Sequence, residues 1–174
     1  MFSKTLFRQA SRASFSSSAL ARGLFKDYVA KLNVKYVTAS QLDAIINENP
    51  LTGLAPNVHL IDVRETYEWN EDHIPFSTYL GKGVLERDIQ NFVPDVYDQV
   101  ILYCAGGDRA SISADNLSKM GYKQVAVLKG GMGAWKQAGR PIVTNERAYS
   151  DRVLYGKTVE EEVEYRLKLQ NSSA

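Results

Sequence analysis

A chain of 174 residues with 44% apolar composition is long enough for one ordinary core plus extensions and too short for two comfortable domains. Its net charge of +1 lacks the basic excess that neutralises phosphates, which argues against a nucleic-acid surface and for small-molecule or protein partners. One cysteine, Cys104, permits no internal disulfide, and His59 and His73 lie too far apart for a Cys/His cluster. A bridge-stabilised secreted scaffold is therefore excluded, a reducing compartment fits, and neither a metal nor another cofactor is expected.

Lys4, Arg8, Arg12 and Arg22 all precede the first acidic residue, Asp27, and serines cluster at Ser14 and Ser16 to Ser18. At helical period the first three bases share one face, while Phe2, Leu6, Ala10 and Ala13 share the opposite one. Residues 1–25 thus read as a mitochondrial transit peptide, cut between Ala19 and Lys26; the competing reading is a basic tail on a cytosolic protein. No apolar run approaches bilayer-spanning length, so a matrix protein with no membrane partner is expected.

Lys35 to Thr38 is a short strand-like entry, and Ser40 is the expected N-cap of a helix carrying Leu42, Ile45 and Ile46, stopped by Asn49-Pro50. Val58 to Val63 is nearly continuous in apolar residues, as in a strand covered on both faces, and carries Asp62 and Arg64 at its carboxyl end. Thr66 to Glu71 reads as a short helical turn with Glu65 and Glu68 near its positive end. Val84, Leu85, Ile89 and Phe92 form a helical stripe that ends before Pro94. Gln99 to Tyr103 is the next strand, and a helix from about Ala110 to Met120 follows, with Ile112, Leu117 and Met120 inward and Gly121 as its C-cap. Val125 to Leu128 is a further strand, after which Gly130-Gly131 turns the chain into a helix bearing Trp135. Strands alternating with helices at this spacing predict a parallel sheet, whose ligands bind beyond the strands' carboxyl ends, where Cys104, Asp62 and Arg64 gather.

Cys104 stands where Val100 to Tyr103 gives way to Ala105-Gly106-Gly107-Asp108-Arg109 and a helix. A short glycine-bearing loop feeding a helix aims backbone N–H groups and the helix's positive end at the loop, which favours a thiolate. The two glycines allow close backbone approach, and Arg109 adds a permanent cation. A buried, inert thiol is the plain alternative, but it needs none of these neighbours.

Asp62-Val63-Arg64-Glu65, His73-Ile74-Pro75, the loop Cys104 to Arg109 and Leu128-Lys129-Gly130-Gly131-Met132-Gly133-Ala134-Trp135 resemble, in order and spacing, the four signatures of a single-domain rhodanese. The resemblance covers most of the chain between Val34 and Pro141. It implies an α/β, rhodanese-like three-layer domain over residues 34–142, with a mostly parallel central sheet of about five strands flanked by helices. It implies a thiosulfate sulfurtransferase: the Cys104 thiolate takes the outer sulfur of thiosulfate or a persulfide donor, expels the leaving group and passes the sulfur to an outside acceptor, cyanide or a thiol such as glutathione or a thioredoxin-like protein. Cys104 is then catalytic, and Ala105, Gly106, Gly107, Asp108, Arg109 and Arg64 would bind substrate. Arg109 either holds the donor's anionic group or ties down loop carbonyls; Arg64 reads more as a structural partner of Glu65 or Glu68. Asp62 and His73 read as structural, as do Gly131 and Trp135.

Phosphatases of the same fold place five residues between cysteine and arginine, whereas four separate Cys104 from Arg109, and Ala110 holds the phosphatase arginine's position. The shorter loop suits one added sulfur better than a phosphoryl group. Asp108 offsets Arg109, which leaves the physiological donor open between thiosulfate and a persulfide. In residues 143–174, Val159, Val163 and Leu167 recur at helical spacing beside Glu160, Glu161, Glu162 and Glu164, a surface helix that either folds back on its own domain or meets a partner or second copy. The alternative to a stand-alone enzyme is a persulfide carrier that works through protein partners.

Overall fold

A computed structural model describes residues 19–48 and 53–144. They fall into two units divided after Lys31. The first carries one helix, α1 (Ala19–Ala30), which spans the expected transit-peptide cleavage interval. Residues 1–18 of the expected transit peptide and the expected helix near Val159 to Leu167 lie outside the described residues.

The second unit begins with β1 (Lys35–Val37) and α2 (Ala39–Asn47). Thr38, not Ser40, caps α2: its hydroxyl accepts the Gln41 N–H at 3.2 Å while its own N–H donates to Gln41 Oε1 at 2.8 Å. A Thr-x-x-Gln box satisfies two otherwise orphaned groups at once, which Ser40, already inside the first turn, cannot do. Asn49-Pro50, the expected stop, lies outside the described residues. The chain continues through β2 (Val58–Asp62), α3 (Thr66–Glu71), β3 (Asp72–His73) and β4 (Thr78–Tyr79). After α4 (Leu85–Phe92) come β5 (Gln99–Tyr103), α5 (Asp108–Met120), β6 (Gln124–Leu128), α6 (Gly131–Gln137) and β7 (Val143–Thr144).

Five strands form a wholly parallel sheet in the order β1-β6-β5-β2-β4. Their side chains alternate between two apolar clusters. Val100, Leu102 and Cys104 face one cluster with Ile61, Val63 and Val127, covered by Leu85 and Ile89 of α4 and Ala110, Ala114 and Leu117 of α5. Ile101 and Tyr103 face the other with Leu60 and Leu128, covered by Leu42 and Ile46 of α2 and Met132 and Trp135 of α6. The result is a three-layer α/β domain, as the alternation of strands and helices predicts.

On α5 the buried face is Ala110, Ser111, Ser113, Ala114 and Leu117, whereas Met120, expected inside, is exposed and Ile112 only half-buried. Small residues beside Leu117 let this helix lie close to the sheet. A second, two-stranded sheet pairs β3 antiparallel with β7. Val143, wholly buried, opposes His73, so the packed domain runs past the boundary at 142 that the sequence suggests.

Tyr103 ties this part together from β5. Its buried hydroxyl accepts the Ile74 N–H at 3.1 Å and bonds Ser77 Oγ at 2.9 Å, fixing the His73-Ile74-Pro75 turn on the strand that leads to Cys104. His73 itself stacks on Trp69 with ring centroids 3.7 Å apart, a structural placement. Tyr103→Phe leaves the buried Ile74 N–H without its partner and is expected to cost about 1–3 kcal/mol in urea unfolding. An unchanged unfolding midpoint would show that the turn does not hang on this hydroxyl.

Candidate active site

Cys104 continues the pleat of β5, so its side chain enters the apolar cluster under α5, and 1% of its surface is exposed. The next residues rise out of the fold: Ala105 and Gly106 are exposed, and a Cβ added to Gly106 would meet nothing within 4 Å. The chain then folds back at Gly107, whose φ of 102° belongs to glycine's left-handed range. That turn brings the Gly107 N–H to 3.1 Å from Cys104 Sγ. Gly107 is the N-cap of α5, so the sulfur lies beside a helix's positive end. On the other side of Gly107, its carbonyl accepts both the Ser111 N–H at 2.9 Å and the Ser111 hydroxyl at 3.0 Å, and Tyr36 Oη lies 3.1 Å from that hydroxyl.

Helix α6 holds the loop from behind. Its first turn has N–H groups without partners in their own helix, and two of them donate to the loop: Met132 to the Cys104 carbonyl at 2.8 Å, Gly133 to the Ala105 carbonyl at 3.0 Å. A trans peptide points its N–H opposite to its carbonyl, so turning these two carbonyls toward α6 turns the Ala105 and Gly106 N–H groups the other way. Only a residue without a Cβ admits this contact. Gly131 has φ 58°, and a Cβ there would overlap the Cys104 carbonyl oxygen and stand 2.8 Å from that of Ala105.

The two arginines do not sit as the sequence suggests. Arg64 is 4% exposed and faces Asp62 and Asp72, not Glu65 or Glu68. Its backbone N–H and Nε reach Asp62 at 2.9 and 2.8 Å, and Nη2 donates to the Asp72 carbonyl, while Lys136 pairs with the Asp72 carboxylate. Burial lifts Asp62 and opposes the charge on Arg64, yet Asp62's hydrogen bonds and charge raise Arg64. The charged pair governs, because backbone and guanidinium donors converge on Asp62 and a neutral Asp62 would strand a buried cation. The guanidinium expected to bind substrate is thus enclosed by carboxylates.

Arg109, on the first turn of α5, neither stands open nor binds loop carbonyls. Its Nη1 and Nη2 grip both oxygens of Glu68 at 2.7 and 2.8 Å, with Glu65 at 3.6 Å. Burial works against Glu68's charge, but the Arg109 hydrogen bonds and the Glu65 N–H outweigh it and hold the carboxyl below its ordinary range. Glu68, Ser111, Tyr36 and the α6 amides are thus site residues that sequence reasoning missed. The Glu65-x-x-Glu68 spacing is a capping-box signal that pinned Glu68's rotamer in advance; Tyr36, 75 positions from Ser111, left no local signal.

Residues 38–138 match the model of the Rhodanese-like domain. The chain is 29% identical over 146 residues to the Schizosaccharomyces pombe protein named "Putative thiosulfate sulfurtransferase, mitochondrial", a match covering 78% of this chain and 95% of that one. It is 33% identical over 95 residues to a Saccharomyces cerevisiae thiosulfate:glutathione sulfurtransferase, covering 48% of this chain and 68% of that protein. The solved structure of a thiosulfate sulfurtransferase from Pseudomonas aeruginosa superimposes with a TM-score of 0.61 at 19% identity, over 84% of this chain and 26% of that one, and shows the same fold. The chain belongs to the rhodanese-like family.

Gly131→Ala forces a methyl group into the Cys104 carbonyl and an L-residue into a left-handed backbone, and is expected to lower stability by about 2–4 kcal/mol in denaturant melts, with faster exchange of the Met132 and Gly133 amides. A variant as stable as its parent would refute the docking role of α6. Because Glu68's carboxyl is depressed in the folded state, its pair with Arg109 adds stability above the ordinary glutamate range and loses it as pH falls through the lowered value. Melting temperatures of Glu68→Gln should therefore decline less steeply toward acid pH than those of the parent; parallel declines would contradict the pair's contribution.

Proposed function

We propose that this domain is a sulfurtransferase that carries a sulfane sulfur on Cys104 between a thiosulfate or persulfide donor and a thiol acceptor. The observation that supports it is the Gly107 N–H aimed at Cys104 Sγ at the head of α5, in a loop whose preceding carbonyls are drawn back by α6. A cradle of amides lowers the energy of a negatively charged sulfur without needing a side-chain base. The names of the two yeast relatives point to the same chemistry.

In the first half-reaction the Cys104 thiolate attacks the outer sulfur of thiosulfate. An S–S bond forms at Cys104, the donor's S–S bond breaks, and sulfite leaves with the bonding pair, so charge and atoms balance. The persulfide's terminal sulfur then lies among the Ala105, Gly106 and Gly107 amides. An acceptor thiolate, from glutathione or a thioredoxin-like protein, attacks that sulfur and returns Cys104 as thiolate. With one cysteine in the chain the acceptor is an outside molecule. Because Cys104 is 1% exposed, the donor's sulfur reaches it only when the residues around it yield, and lid-like motion of this kind falls in the microsecond range or slower. We place this activity in the mitochondrial matrix, on the basic, acid-free residues 1–25 and on the name of the fission-yeast relative.

Incubation with thiosulfate is expected to add the mass of one sulfur atom to the intact protein, an adduct discharged by glutathione and absent from Cys104→Ser. Small-molecule turnover should persist in protein truncated after Thr144. Loss of turnover on truncation would favour a partner-dependent carrier, and an unmodified mass with every sulfane donor would refute sulfur transfer.

A further inference from the structure

The sequence brings two arginines to the carboxyl end of the sheet, and both are occupied by carboxylates. Arg64 is enclosed by Asp62 and Asp72. Arg109, in the first turn after the loop, is gripped at two points by Glu68. The grip is fixed from the far side, since Glu68 Oε2 also accepts the Glu65 N–H at 3.0 Å and so cannot rotate away without uncapping α3. Glu65 adds a second carboxylate 3.6 Å from the same guanidinium. The Glu68 side chain is 15% exposed and that of Arg109 29%, so the pair sits in a partly desolvated rim where its charges are weakly screened.

Resting on the reading of Cys104 as the sulfur carrier, we propose that Glu68 is the specificity-determining residue of this site. By holding Arg109 in a bidentate pair, it withholds this guanidinium from a doubly charged donor and favours sulfane donors of single or no charge. The loop's amides then supply the attraction for the transferred sulfur, and they serve a persulfide or a thiosulfonate as well as thiosulfate. The added charge on a dianion meets Glu65 and Glu68 instead of a free guanidinium. Specificity of this kind arises from withholding an attractive group, and the paired carboxylate is the repulsive element.

Thiosulfate and methanethiosulfonate test this directly. Both deliver one sulfane sulfur to a thiolate, with sulfite or methanesulfinate as the leaving group, and they differ by one negative charge. Steady-state kinetics with a thiol acceptor and intact-mass loading of Cys104 would be measured for the parent, Glu65→Gln, Glu68→Gln and Glu68→Gln/Arg109→Gln. In Glu68→Gln the thiosulfate-to-thiosulfonate ratio of kcat/KM should rise about fivefold or more, through a lower KM for thiosulfate, and the double variant should lose that gain. Glu65→Gln, at a largely exposed position, should move the ratio the same way by about twofold. If Glu68→Gln fails to melt cooperatively, the Glu65→Gln ratio decides. A ratio that stays fixed or shifts toward the thiosulfonate in a folded variant overturns the charge rule while leaving sulfur transfer intact. Absence of a sulfur adduct from either donor in the parent removes both.

Discussion

Two hydrogen bonds from the start of α6, Met132 to the Cys104 carbonyl and Gly133 to that of Ala105, set the geometry on which the site depends. A helix end leaves its first N–H groups without partners, and a loop that must present amides to an anion must send its carbonyls elsewhere. Each solves the other's difficulty. The arrangement needs the backbone of α6 closer to the loop than any side chain permits, which is why Gly131 stands there in a left-handed conformation. Trp135, one turn on, anchors the same helix by packing in the core and donating its indole N–H to the Pro141 carbonyl at 2.7 Å. The stretch Leu128 to Trp135, more than 20 residues from Cys104, is thus part of the machinery around the sulfur.

Both arginines near the site are matched with carboxylates. Asp62 takes Arg64 in the buried layer under the strand ends, with Asp72 and Lys136 completing the cluster. Glu68 takes Arg109 at the rim. Buried pairs of this type contribute modestly to net stability but penalise any conformation that separates them, so they fix how α3, β3 and α5 meet. On the proposed reading of Cys104 as sulfur carrier, anion stabilisation would fall to backbone dipoles, which cannot swing away or change protonation.

Much of this was legible in the residues. β2, β5 and β6 are apolar runs of strand length, α2 and α4 carry helical stripes, and Gly121 ends α5 in the left-handed conformation that its place after Met120 suggests. Those features are local, and local patterns survive in sequence. β3, β4 and β7 have two residues each, too few for any periodicity; they are strands only because partners lie beside them. Part of the inward face of α5 was hidden because Ser111, Ser113 and two alanines join Leu117 against the sheet, whereas Ile112 and Met120 do not. Neighbouring residue numbers suggested that Arg64 would find Glu65 or Glu68, yet those carboxylates belong to Arg109, 41 positions from Glu68, a pairing created by the return of the chain after β5. The loop itself could be read because cysteine, paired glycines and arginine at fixed offsets form a dense signal, whereas the supports at Tyr36 and Ser111 are ordinary residues made specific by contact.

The central claim, that the loop's amides converge on the sulfur because α6 draws its carbonyls back, is tested most directly by the backbone amide spectrum of the protein before and after one sulfane sulfur is loaded onto Cys104. The account predicts a downfield move of the Gly107 amide proton, with Ala105 and Gly106 following, while Met132 and Gly133 stay protected from solvent exchange. A Gly107 resonance indifferent to loading, or rapid exchange at Met132 and Gly133 in an otherwise folded protein, would contradict it.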